Sequence, residues 1–264
     1  IIIGLLIIAI GAFCQSSCYV PINKIKSWSW ESYWMVQGVF AWLVFPFLGA
    51  LLAVPHGHSL MEIYLANPKD SLLTMFFGVL WGVGGLTFGL SMRYLGVALG
   101  QSVALGTCAG LGTILTPLFT GKTDDLTTPV IVGVVVTLLG IAIIGIAGSM
   151  KSSTLSEEEK QKSVKDFNFT KGILVALLAG FMSACFSIGL GFGENLCFPE
   201  SKELFKTLPA TFLVTIGGFM TNAVYCFYQN TRNKTWSDYK ETKLYANNIL
   251  FCALAGILWY SQFF

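Results

Sequence analysis

Long apolar runs alternate with short polar connections along the whole chain, and the runs share one length. Eight can be marked, at residues 1–20, 33–54, 72–92, 96–120, 129–148, 172–193, 207–228 and 246–264. At 1.5 Å of rise per residue, about 20 residues cross a hydrocarbon core of roughly 30 Å. Hydrocarbon offers no hydrogen bonds, so each run must satisfy its own backbone as a helix. The pattern therefore predicts an all-α polytopic membrane protein. Prolines punctuate it: Pro21 is expected to stop the first helix and Pro55 the second, and Pro129 suits the opening turn of the fifth. The first run lacks the basic leader and small-residue cleavage site of a signal peptide, so it reads as a spanning helix.

The connection at 149–171 is the one long polar stretch, and its Glu157-Glu158-Glu159-Lys160 run reads as a solvated face. It leaves five helices before it (1–148) and three after it (172–264). Short strings recur in the same register. Gly78-Val79-Leu80-Trp81 returns as Gly256-Ile257-Leu258-Trp259. Gly4-Leu5-Leu6 and Gly11-Ala12-Phe13-Cys14 are echoed by Gly172-Ile173-Leu174 and Gly180-Phe181-Met182-Ser183. A five-helix unit repeated after an odd number of crossings is inverted in the bilayer, which is the architecture of secondary carriers. The third run continues about a dozen residues beyond Trp81, but only five follow Trp259, so the repeat predicts two further helices. On that expectation the eight helices belong to a ten-helix protein of two inverted five-helix repeats, the second truncated, with roughly 60–80 residues to come.

Composition sharpens the class. Hydrophobic residues make up 54% of the chain and charged residues 11%, against about 25% charged in soluble domains. A net charge of +2 with no basic patch gives no footprint for nucleic acid. Of the 16 basic residues, only Lys69, Lys122, Lys202 and Lys206 lie in the connections after the second, fourth and sixth runs. The others fall after the odd-numbered runs, which places those connections in the cytoplasm and the N-terminus outside.

Candidate chemistry is sparse. The seven cysteines lie in or at the ends of apolar runs, without a CxxC, and read as packing residues. His56-Gly57-His58 reads as a polar loop. No nucleophile–base pair, metal-ligand spacing or phosphate loop is visible, so neither an enzyme, a metal site nor a cofactor is expected. Glycines four apart, as in Gly78/Gly82, Gly85/Gly89, Gly96/Gly100 and Gly106/Gly110, predict close helix packing. Gln15 and Tyr19 share a face of the first helix, and Trp259 and Gln262 share one of the eighth. Asn222 lies within the seventh, and Trp81 is the repeat equivalent of Trp259. Amides and aromatic surfaces together suit a neutral hydroxylated ligand. These six are the candidate substrate-binding residues. Lys24, Lys26, Trp28, Trp30 and Trp34 read as an interfacial anchor. Glu31, at the opening turn of the second helix, is the candidate proton-coupling residue.

The string Tyr19-Val-Pro-Ile-Asn-Lys-Ile-Lys-Ser-Trp-Ser-Trp-Glu31 resembles the L-rhamnose–proton symporter family of the drug/metabolite transporter superfamily. So do Leu80-Trp-Gly-Val-Gly84, Gly89-Leu-Ser-Met-Arg-Tyr-Leu-Gly96, Asp166-Phe-Asn-Phe-Thr-Lys-Gly172 and Gly256-Ile-Leu-Trp-Tyr-Ser-Gln-Phe-Phe264, in the same order. The resemblance implies ten helices in two inverted halves around a central cavity, a bacterial inner-membrane location, and uptake of a deoxy sugar with protons. Gly85, Thr87 and Phe88 depart from the polar residues expected in that family's third helix, and they make this wall less polar. Two other readings stay open: export of another small metabolite, and sensing without flux. Orientation is directly testable. Single cysteines placed in the 149–171 connection should resist an impermeant thiol reagent in intact spheroplasts, and ready labelling from outside would invert the assignment.

Overall fold

The computed structural model describes residues 2–154, 167–240 and 242–263, and among these there is no strand. Among the described residues, eight helical spans are long and apolar enough to cross a membrane. We label the helices α1 (Ile2–Ser17), α2 (Tyr19–Ile22), α3 (Trp30–Gly38), α4 (Phe45–Leu51), α5 (Leu60–Ala66), α6 (Pro68–Leu95), α7 (Val97–Thr120), α8 (Thr128–Thr154), α9 (Phe169–Phe192), α10 (Leu208–Asn233) and α11 (Thr242–Tyr260). The Glu157–Lys160 run lies outside the described residues.

Pro21 does not stop the first span: the break comes earlier, at Cys18, and Pro21 lies inside α2. A proline is tolerated there because the break has already released its backbone partner. The second span begins at Trp30, before the expected start, and contains a π-helical stretch, Val39–Val44. The cause is Pro46, which offers no N–H to the carbonyl four residues earlier and crowds it. A wider turn just before the proline relieves that conflict. The short helix α5 was not expected from hydropathy. Ser59 and Glu62 form a capping box at its start, and Glu62 also receives His58 Nδ1 at 3.0 Å.

Two compact units are present. The first comprises residues 1–75 and 193–264. In it α10 packs along α3, the π-turn and α4, while α11 packs on α3, the π-turn and α1. Gly256 brings the α11 backbone against Phe40 and Ala41, where a Cβ would lie 2.9 Å from Ala41 N. The second unit comprises residues 76–192, and its main contact is α7 along α9, with α8 against α7. Leu95, Val103, Ala104, Ala176 and Ala179 form its buried seam. Gly96 joins α6 to α7 alone, at φ +79°, a conformation that side chains disfavour.

The glycine pairs divide. Gly106 and Gly110 receive Ile141 and Leu138 of α8, whereas a Cβ at Gly85 or Gly89 would meet open space. A Cβ at Gly180 would lie 2.7 Å from Ala104 O, while one at Gly140 would have nothing within 4 Å. Gly180→Ala should therefore lower the melting temperature of the detergent-purified protein, and Gly140→Ala should leave it unchanged or slightly higher. Equal melting temperatures for the two variants would refute the packing argument.

Candidate functional site

The polar chemistry of the first unit gathers on α3 and its partners. Trp30 and Trp34 stack, with ring centroids 5.5 Å apart at 18°. Trp34 meets Trp42 edge-on at 5.8 Å, and Trp42 meets Trp259 of α11 at 6.1 Å and 88°. Trp259 continues to Phe263 at 5.4 Å. Four indoles thus run from α3 across the π-turn to α11. Their spacing needs Gly38, because a Cβ there would sit 2.8 Å from the Trp42 ring. Such edge and stacked pairs hold each ring in a defined orientation.

Asn222 completes this cluster from α10. Its Oδ1 accepts Trp34 Nε1 at 3.2 Å, and its Nδ2 donates to Gly218 O at 2.8 Å. The structure therefore links two of the candidates, Asn222 and Trp259, through Trp34 and Trp42. Gln262 follows Trp259 in the chain and donates from Nε2 to Trp259 O at 2.8 Å. The Gln262 backbone lies against Gly11 of α1, one turn before the half-buried Gln15. Tyr19 is about half exposed on α2. Trp81 belongs to the second unit, where it packs edge-on against Phe186 at 5.0 Å.

At the start of α3 lies a network around two carboxylates. Glu31 is buried, and its Oε1 accepts Asn233 Nδ2 at 2.8 Å and Thr235 Oγ1 at 3.0 Å. Asp238 Oδ2 accepts the Ser29 N–H, the Ser29 hydroxyl and the Ser32 hydroxyl, each at 2.8 Å. Asn230 Oδ1 lies 3.0 Å from both Ser32 Oγ and Thr235 Oγ1, so it joins the two halves. Its Nδ2 donates to Cys226 O at 2.9 Å, which fixes the orientation of the amide. Ser29, Ser32 and Thr235 supply one hydroxyl proton each. Each of those protons has more than one acceptor within reach. Tyr239 donates to Ser32 O at 3.1 Å, and burial pushes its hydroxyl up to about 12. Burial also pushes the Asp238 carboxyl up, but the Ser29 and Ser32 bonds outweigh it and hold the group below its ordinary value.

The aromatic–amide cluster shows what hydropathy reading missed. Trp28 and Trp34 were expected at the membrane interface with Trp30. Trp28 is buried between Tyr239 and Tyr245, and Trp34 is tied to Asn222. The spacing Trp30, Trp34 already carried that signal, since residues four apart share a helix face. The network residues Asn230, Asn233 and Asp238 had no sequence signal linking them to Glu31. Among the described residues no group of three His, Cys, Asp or Glu could hold a metal ion.

Eight apolar spans, with buried amides, indoles and a carboxylate network in the first unit, define a multi-pass membrane protein. The chain belongs to the L-rhamnose-proton symport protein family, a family of transporters, whose model matches residues 1–264. It is 34% identical over 278 aligned positions to the L-rhamnose-proton symporter of Yersinia pestis bv. Antiqua (strain Antiqua), an alignment covering 100% of this chain and 79% of that protein. The symporter of Yersinia pseudotuberculosis serotype O:1b (strain IP 31758) is likewise 34% identical, with 100% and 78% covered. No solved structure matches the chain.

The Asp238 network makes a pH prediction. A carboxyl held below its unfolded value, about 3.9 for Asp, stabilises the fold above that value. The contribution is lost as pH falls through the lower folded value. Melting temperature should therefore drop on acidification below about pH 4, and Asp238→Asn should show a smaller drop from a lower neutral value. An unchanged acid limb in Asp238→Asn would exclude the group from this role.

Proposed function

We propose that this chain takes up L-rhamnose, or a closely related deoxy sugar, together with protons across a bacterial inner membrane. The observation that carries the reading is the line of indoles from Trp34 to Trp259 beside the Asn222 amide. A pyranose presents a C–H-rich face that packs on an indole, and its hydroxyls need amide and hydroxyl partners. Asn222 and Trp259 are the central pair, joined in the first unit by Gln262, Gln15 and Tyr19, and Trp81 is a separate candidate in the second unit. Family membership and the names of the Yersinia relatives support the same substrate and coupling ion.

Glu31 is the proposed proton carrier. A carrier carboxylate must be shielded from bulk water yet able to exchange a proton. Glu31 is buried in a hydrogen-bond network with Asn233 and Thr235, and it shares α3 with Trp34. The proposed architecture is ten helices in two inverted five-helix repeats, with residues 1–148 the first, 149–171 a cytoplasmic connection and 172–264 the opening of the second. The recurring Gly-Val-Leu-Trp and Gly-Ile-Leu-Trp strings and the placement of the basic residues support it, with the N-terminus outside.

Proteoliposome uptake across a panel of sugars, with and without an imposed pH gradient, tests the reading. L-rhamnose should accumulate only with the gradient. Trp259→Ala and Gln262→Ala should each abolish most uptake while leaving folded protein. Losing one hydrogen bond or ring contact to the sugar costs about 1–3 kcal/mol, or roughly ten- to a hundredfold in affinity. Glu31→Gln should retain sugar exchange but lose accumulation driven by the gradient. Efflux of a different metabolite with no response to sugars would favour an exporter, and binding without flux would favour a sensor.

A further inference from the structure

Gln37 is the eighth residue of the span that begins at Trp30, so it lies roughly 10 Å along the span at 1.5 Å per residue. The residue is 2% exposed, and its Oε1 has no hydrogen-bond partner among the described residues. The other buried amides of this unit are all used. Asn222 joins Trp34 to Gly218, Asn230 joins Ser32 to Cys226, and Asn248 joins the two backbone groups of Lys26. An amide oxygen left unpaired at this depth is unfavourable unless something else fills it.

The surroundings say what kind of group that is. Gln37 is one turn beyond Trp34, whose indole is held by Asn222 of α10. It is next to Gly38, over which the Trp42 ring lies. On the adjoining side, Cys252 of α11 meets Tyr33 O at 3.7 Å. The π-turn begins two residues later, at Val39, and such turns widen a helix and recur at functional sites. Gln37 therefore belongs to the same part of α3 as Trp34 and Gly38, and α3 packs on both α10 and α11. The free oxygen of Gln37 is an acceptor, so its natural partner is an O–H donor on a neutral ligand with an apolar face.

We propose that Gln37 binds the transported sugar directly, its Oε1 accepting a hydrogen bond from one sugar hydroxyl. The assignment rests on the sugar-carrier reading above and adds a specificity-determining residue to it. Gln37 would discriminate between sugars by the presence of that one hydroxyl.

The test compares wild type, Gln37→Leu and Gln37→Met for L-rhamnose binding, read as sugar-dependent thermal shift, and for proteoliposome uptake. Both variants should lose about ten- to a hundredfold in affinity. Their sugar-free melting temperatures should equal or exceed that of wild type, because an apolar group of similar size replaces an unpaired acceptor. A purely structural role for Gln37 predicts the opposite, a lower sugar-free melting temperature in both. Monodeoxy analogues of L-rhamnose give a second readout. Wild type should bind one of them about ten- to a hundredfold more weakly, and both variants should bind that analogue and L-rhamnose alike. Unchanged affinity in either folded variant, or failure of both variants to fold, would overturn the assignment and leave the carrier reading standing. A wild type that binds no sugar of the panel would remove the carrier reading and this assignment together.

Discussion

A hydrocarbon solvent cannot answer a polar group, and this constraint shapes how the first unit is joined. Its buried amides act as fasteners between helices that are distant in sequence. Asn248 of α11 takes the Lys26 N–H at 3.1 Å and returns a bond to Lys26 O at 2.8 Å, so one side chain satisfies both backbone groups of a residue before α3. Asn222 and Asn230 of α10 hold Trp34 and Ser32 from the other side. Interhelical hydrogen bonds in membranes average only about 0.6 kcal/mol each by double-mutant cycles, so none of them dominates stability. Their effect is positional. Once Lys26, Ser32 and Trp34 are held, the rotation of α3 is settled, and with it the faces that Glu31 and Gln37 occupy.

The two units solve helix packing by different chemistry. The second brings α7 and α9 together through small residues, with Ala104, Ala176 and Ala179 in the seam and Gly180 seated on Thr107 and the Ala104 carbonyl. Such contacts gain from the number of close atom pairs and leave little room for rearrangement. The first unit instead packs indoles and amides around a helix interrupted by a π-turn. Its contacts are larger, directional and chemically selective. The first and fifth spans are the least buried, at 11% and 6%, and residues such as Leu5, Ile8, Val136 and Ile143 are exposed on them.

Hydropathy was sufficient to find the spans because bilayer thickness imposes one length on all of them. It misplaced local events where a backbone effect outweighs apolarity. The break at Cys18 precedes the proline expected to cause one, and the π-turn answers Pro46 without any change in hydrophobicity. Helix α5 was missed because it is too short for a spanning signal, although its Ser59–Glu62 capping box was written in the sequence. The candidate site was partly legible for a similar reason. Asn222 and Trp259 stand out as polar or amphipathic residues inside apolar runs. Trp34 and Gln37 sit near a run's start, where tryptophan and glutamine have an ordinary interfacial explanation. Only tertiary contacts show that their turn of α3 is buried in protein. The partners of Glu31 come from about 200 residues away, and no local pattern announces such pairings.

Symport requires that the sugar and the proton bias the same structural element, because coupling is a free energy shared between two sites. On the proposed assignments, α3 is that element. Glu31 is at its second residue, while Trp34 and Gln37 lie one and two turns further along. A rigid helix of this length transmits a rotation at one end to the other with little loss. Protonation of the Glu31 network would change which acceptor the Thr235 hydroxyl serves, and through Asn230 it would change the hold on Ser32. A sugar on Gln37 would act on the same helix from the opposite end. The π-turn that follows gives α3 a place to yield, since its backbone bonds are already displaced from the α register around Pro46. Coupling in this arrangement needs no long pathway of intermediates. It needs only that one short helix have two seatings, each favoured by both ligands together or by neither.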